Sequence, residues 1–258
     1  MDAATLLPII FAGLMAVAVF FYIIFDGYDL GVGLLFPFVK ERADRDAMVA
    51  TIDPFWDANE TWIVLGVGVL FIAFPQAYGD ILVTLYIPTA TMLGGLILRG
   101  CAFDFRNTAK IEKQAMWDKL FCVGSYIATM SQGVMIGLYV MGLEQNLMTW
   151  SFAILTGIAV CFGYALLGSA WLIFKAKDHI RQMAIKAIRN SIFLAFLAII
   201  LVSIATPFTN SAVYDKWFTM PNMLYLAPVP LACVALAAII FVMLPKIAKD
   251  NTYKHDWV

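Results

Sequence analysis

Histidine is nearly absent from these 258 residues: there are two, His179 and His255, both in predicted polar loops. Heme and metal centres inside a membrane are commonly held by histidine, and neither residue is placed to ligate one there. The 13 methionines read as packing rather than as axial ligands. Charge is also scarce. Charged residues make up 14% of the chain and the formal net charge is −1, so the basic footprint of a nucleic-acid binder is missing. Four cysteines (Cys101, Cys122, Cys161 and Cys233) are scattered without a CxxC pair or a Cys/His cluster, which argues against a zinc site or a disulfide framework. The opening MDAATLLPII has no basic residue before its apolar run. That run is therefore expected to stay as a membrane span rather than be removed as a signal peptide.

The rest is hydrophobic. At 62% apolar residues, a particle of this size cannot hide its side chains from water, and lipid must solvate much of it. A bilayer core needs about 20 apolar residues per helix. Qualifying runs extend from Leu6 to about Leu35, Trp56 to Phe74, Ile81 to about Leu98, Leu120 to Met141, Trp150 to Phe174, Ile192 to Pro207 and Met223 to Leu244. Such lengths exclude barrel strands. The expected fold is all-α: a polytopic integral membrane protein with about seven transmembrane helices in a single domain, 1–258.

The cations agree with that count. Lys40, Arg42 and Arg45 follow the first run; Arg99, Arg106, Lys110, Lys113 and Lys119 follow the third. Lys175, Lys177, Arg181, Lys186 and Arg189 follow the fifth, and Lys246, Lys249 and Lys254 the seventh. Only Lys216 is left for the other side. By the positive-inside rule the amino terminus is outside and the basic loops are cytoplasmic. Gly27-Tyr28-Asp29-Leu30 echoes Gly163-Tyr164-Ala165-Leu166, which suggests a tandem four-helix unit, 1–142 and then 150–258, with the second copy incomplete.

Ionisable residues within apolar sequence are costly and point to function. Asp26 and Asp29 in FDGYDLGVG share a helix face. Asp26 precedes Lys40 by 14 residues, which places it about 20 Å from the basic side. In PFWDANETW, Asp57 and Glu60 open the second, antiparallel run, with Asn59 between them. Two readings stand for that pair: a shallow-to-deep carboxylate ladder for cytoplasmic protons, or acids favouring a helix N-terminus. LILRGCAFDFR ends the third run with Arg99, Asp104 and Arg106. Arg99 either pairs with a carboxylate or snorkels to the interface. A proton-coupled secondary transporter would use the same buried carboxylates, and that alternative stays open on the residues alone.

Together the motifs resemble subunit II of the cytochrome bd-type quinol oxidases, including the cyanide-insensitive branch. They are FDGYDLGVG at 25–33, PFWDANETWIVLGVGVLFIAFPQAYG at 54–79, LILRGCAFDFR at 96–106, SQGVMIGLYVMG at 131–142 and FGYALLGSAWLIFKAK at 162–177, in order across nearly the whole chain. The resemblance implies an accessory subunit of a complex in the bacterial cytoplasmic membrane that oxidises quinol and reduces oxygen to water. Its expected partners are a larger subunit I, which carries two b hemes and heme d, small accessory subunits, membrane lipid and the quinol pool. No catalytic, heme or metal site is expected in this chain, although some members hold a structural quinone. The family's intramembrane acid matches Asp26, and the acid of its WDGN motif matches Asp57 in Trp56-Asp57-Ala58-Asn59. Trp62 matches an aromatic near a proposed oxygen route. Family members also run two spans longer, and the final KHDWV resembles the loop before those spans, so a truncated chain is expected.

Overall fold

A computed structural model describes residues 3–176, 178–209 and 211–249. Lys177, Lys254, His255 and the closing KHDWV lie outside the described residues. The elements are α1 (Ala3–Leu35), a one-turn 3-10 helix (Phe36–Phe38), α2 (Arg42–Ile52), α3 (Trp56–Ala73), α4 (Pro75–Thr84) and α5 (Tyr86–Thr108). There follow α6 (Ile111–Val140), α7 (Leu147–Lys175), α8 (Asp178–Thr209), α9 (Ser211–Phe218), α10 (Asn222–Leu226) and α11 (Pro228–Lys249). Six are long and apolar enough to cross a membrane, or seven when the bent α4–α5 pair counts as one span. The chain is an all-α polytopic membrane protein.

The third apolar run departs from the expectation. Instead of one helix from Ile81 to about Leu98, the chain turns by 84° between α4 and α5. Pro88 explains the break, because it has no N–H to bond the carbonyl of Thr84 and so cannot continue the α4 ladder. In the first turn of α5 that missing donor costs nothing. The span is thereby displaced toward the carboxyl side, and Arg99 lies well inside α5 rather than at its end.

Helices α1, α6 and α7 form the centre, with α3 against α1, α5 against α6, and α8 against α7; α11 rests on α8. The short α2, expected only as loop, folds over the basic end and buries Met48, Val49 and Ile52 beside Phe36, Phe103 and Phe121. The basic connections meet at that end: His179 Nδ1 lies 2.8 Å from Asp44 Oδ2, and Arg181 Nη2 donates to the Ile247 carbonyl at 3.2 Å.

The two echoing segments pack on each other. A Cβ at Gly31 would lie 1.9 Å from the Tyr164 carbonyl oxygen and 2.7 Å from the Gly168 nitrogen, so the α1 and α7 backbones touch. Gly31→Ala should therefore lower the unfolding free energy in detergent by about 1–3 kcal/mol, the usual cost of overpacking. Gly163→Ala is the control, since nothing lies within 4 Å of a Cβ there. Equal denaturation midpoints for both variants would rule out the close approach.

Candidate functional site

The site begins with α1. Its carboxyl-terminal third carries Asp26 and Asp29, and the helix continues as buried apolar sequence through Leu30, Val32, Leu34 and Leu35. Both aspartates are 0% exposed. Water cannot solvate them, so the protein must supply their partners. From α5, Arg99 places Nη2 2.7 Å from Asp26 Oδ1, and the same nitrogen is ion-paired with Glu60 Oε1 of α3. Arg99 is 1% exposed, so it does not snorkel. From α3, Asn59 Nδ2 donates to Asp29 Oδ2 at 2.8 Å and to the Tyr28 hydroxyl at 3.0 Å. Tyr28 is held in turn by stacking on Trp171, with ring centroids 4.1 Å apart.

Three carboxyl groups thus surround one guanidinium. A lone buried charge would cost several kcal/mol, so Arg99 is what permits an ionised carboxylate at this depth. Oδ2 of Asp26, Oδ1 of Asp29 and Nε of Arg99 have no hydrogen-bond partner in the protein.

Exposure falls along the set. Asp57 is exposed in the first turn of α3, the Glu60 side chain is 25% exposed, and Asp26 is sealed. Phe55, the N-cap residue of α3, makes no side-chain capping bond. Glu60 spends its carboxylate on Arg99 instead of on first-turn amides, whereas Asp57 sits where an acid favours the helix dipole.

A second layer was not anticipated from sequence. Gln132 Nε2 donates to the Tyr22 hydroxyl at 2.7 Å, and the Tyr164 hydroxyl donates to Gln132 Oε1 at 2.8 Å. Tyr22 lies one turn before Asp26 on the same face of α1. The available signal was polar residues inside apolar runs, here Gln132 within SQGVMIG. Trp62 is half-buried, its ring 4.8 Å from Phe21 and 6.5 Å from Phe25.

The remaining predicted residues separate from this cluster. Arg106 belongs to a different network at the basic end, with Nε 2.6 Å from Asp118 Oδ1 and Nη2 2.5 Å from Asp46 Oδ1. Arg45 Nη1 closes it at 3.0 Å from Asp118 Oδ2. Asp104 is exposed and enters neither network among the described residues. Also among the described residues, no three or more His, Cys, Asp or Glu are arranged to hold a metal ion.

Comparison of the sequence with known proteins points to a family. Residues 7–255 match the family described as cytochrome bd terminal oxidase subunit II. The chain is similar to cytochrome bd ubiquinol oxidase subunit 2 of Bacillus subtilis, 33% identical over 201 residues, which covers 72% of this chain and 59% of the relative. It is also similar to cytochrome bd-I ubiquinol oxidase subunit 2 of Escherichia coli, 32% identical over 137 residues, 52% of this chain and 36% of the relative. The matched stretches span less than two thirds of either relative's length. With its profile matched almost from end to end, the chain belongs to the cytochrome bd terminal oxidase subunit II family.

Proposed function

We propose that this chain is a heme-free accessory subunit of a bd-type quinol oxidase in the bacterial cytoplasmic membrane, with its amino terminus outside. In this reading it braces a larger subunit I, which carries hemes b and d and reduces oxygen with electrons from quinol. Small accessory subunits and a structural quinone belong to the same proposal. The relatives' names support the assembly. The observation that carries a role beyond bracing is the sealed Asp26–Arg99–Glu60 cluster with graded access from the basic end.

In that role the cluster conducts protons consumed in oxygen reduction. Asp57 and Glu60 meet the cytoplasmic water, Glu60 shares Arg99 with Asp26, and Asn59 holds Asp29 alongside. One guanidinium balances one carboxylate, so the other two carboxyls are neutral only while they hold protons. Transfer along the set moves protons without bringing an uncompensated charge through hydrocarbon. Asp26 Oδ2 and Asp29 Oδ1, which accept no hydrogen bond from the protein, are the atoms this reading assigns to the transfer. The Trp62, Phe21 and Phe25 rings offer an apolar approach for oxygen beside this route. Arg106 keeps a bracing role at the basic end.

The assembly is tested by expression with and without a heme-bearing partner subunit. Together, the two should co-purify with heme b and heme d absorbance; alone, this chain should show none. Stoichiometric heme in the isolated chain would overturn the reading, as would substrate uptake by vesicles that contain only this chain.

A further inference from the structure

A trough of about 990 Å³ runs along α1, α6, α7 and α8, and none of the carboxylate cluster lines it. Its walls are apolar, among them Leu34, Met130, Ile158, Phe162 and Leu194. Toward the basic end α8 contributes Lys186, Asn190 and Ser191, while Thr91 and Ser131 lie further along the walls. A smaller cavity of about 310 Å³ adjoins there and shares Phe38 and Met183 with the trough. Its lining includes Lys40, Glu41, Asp44 and His179, and His179 Nδ1 already meets Asp44 Oδ2 at 2.8 Å. Lys186 has no carboxylate partner among the described residues and is the charged group of the trough itself.

We infer that this trough is a binding site for an anionic phospholipid of the leaflet at the basic end, with its phosphate at Lys186, its headgroup alcohol in the smaller cavity and an acyl chain along the apolar walls. Dimensions and charge both fit. Leu194 lies eight residues beyond Lys186, about 12 Å along α8, and one leaflet's hydrocarbon is about 15 Å deep. A lysine at the mouth of a groove between helices attracts a lipid phosphate, and hydrocarbon is the natural filling for the rest. The Tyr126 hydroxyl, which also lines the trough, is already engaged with the Leu34 carbonyl at 3.2 Å.

The test reconstitutes the full chain in nanodiscs of equal phosphatidylglycerol and phosphatidylcholine, then identifies retained lipid by native mass spectrometry after detergent exchange. Wild type should hold one phosphatidylglycerol per chain. Lys186→Gln should cut that retention about fivefold, the worth of one cation at a membrane surface. Ala165→Phe, which fills the trough, should abolish it with helical circular dichroism unchanged; should that variant not fold, the Lys186→Gln result decides alone. Retention unaffected by Lys186→Gln would overturn the inference, and so would selective retention of phosphatidylcholine or of a neutral isoprenoid. None of these readouts involves oxygen reduction, so they stand or fall apart from the oxidase reading.

Discussion

Asp26→Asn is expected to slow oxygen consumption by the assembled complex by about tenfold or more, equivalent to about 1.4 kcal/mol on the limiting barrier. Heme content per complex should not change. The amide keeps the shape of the side chain but cannot carry a proton, and Arg99 keeps Glu60 as its counter-ion. Oxygen-electrode turnover and proton uptake in vesicles read the effect; wild-type values for both would remove Asp26 from the route. Arg99→Gln separates conduction from structure. It leaves Asp26, at 0% exposure, and the mostly buried Glu60 without a cation. Breaking a buried pair from one side costs about 3–5 kcal/mol, so this variant should assemble poorly and lose heme. If instead Asp26→Asn loses heme to the same degree, the cluster is a brace and nothing more.

The network at the basic end should matter nearly as much for stability and not at all for protons. Arg106→Leu is expected to destabilise the chain by about 1–3 kcal/mol, measured by thermal unfolding in detergent, because Asp118 loses one of its two arginines and keeps Arg45. Nearly all of this comes from Asp118, whose side chain is 6% exposed. The Asp46 side chain is 45% exposed, and a pair so open to water contributes about 0–1 kcal/mol. Arg106→Leu combined with Asp118→Leu should recover part of the loss, because no buried carboxylate is then left with only one of its two arginines. An additive double variant would show that the contact carries no coupling.

The helical membrane fold was legible because its signals are long: apolar runs and alternating basic loops leave few alternatives. The pairing of Asp26 with Arg99 was legible in kind, since two opposite charges within apolar sequence need each other. Which carboxylate also shared Arg99 was not. Glu60 reads as an N-terminal acid, and only the packing of α3 on α1 brings it to the guanidinium. The bend at Leu85 was hidden because Pro88 sits in apolar sequence on both sides, and hydropathy does not register a missing N–H. Helix α2 was passed over because 11 residues are too few for a span, although Met48, Val49 and Ile52 already form one apolar face. Asp118 was missed for a different reason. Near other charges, a buried acid looks like any solvated one until its two arginines are placed in space.

The contact between Gly31 and the Tyr164 carbonyl has a bearing on speed. Two helices whose backbones touch can neither slide nor rotate about their axes without collision, so α1 holds its aspartates at fixed heights in the bilayer. In the proposed route a proton then cannot ride on helix motion, which takes microseconds or longer. It must pass by rotation of carboxyl groups about their own bonds. Exposed side chains make such jumps in picoseconds to nanoseconds, and tight packing slows them. On that account the small residues of α1 and α7 set the clock of the pathway without touching a proton: they restrict its moving parts to the carboxyl groups themselves.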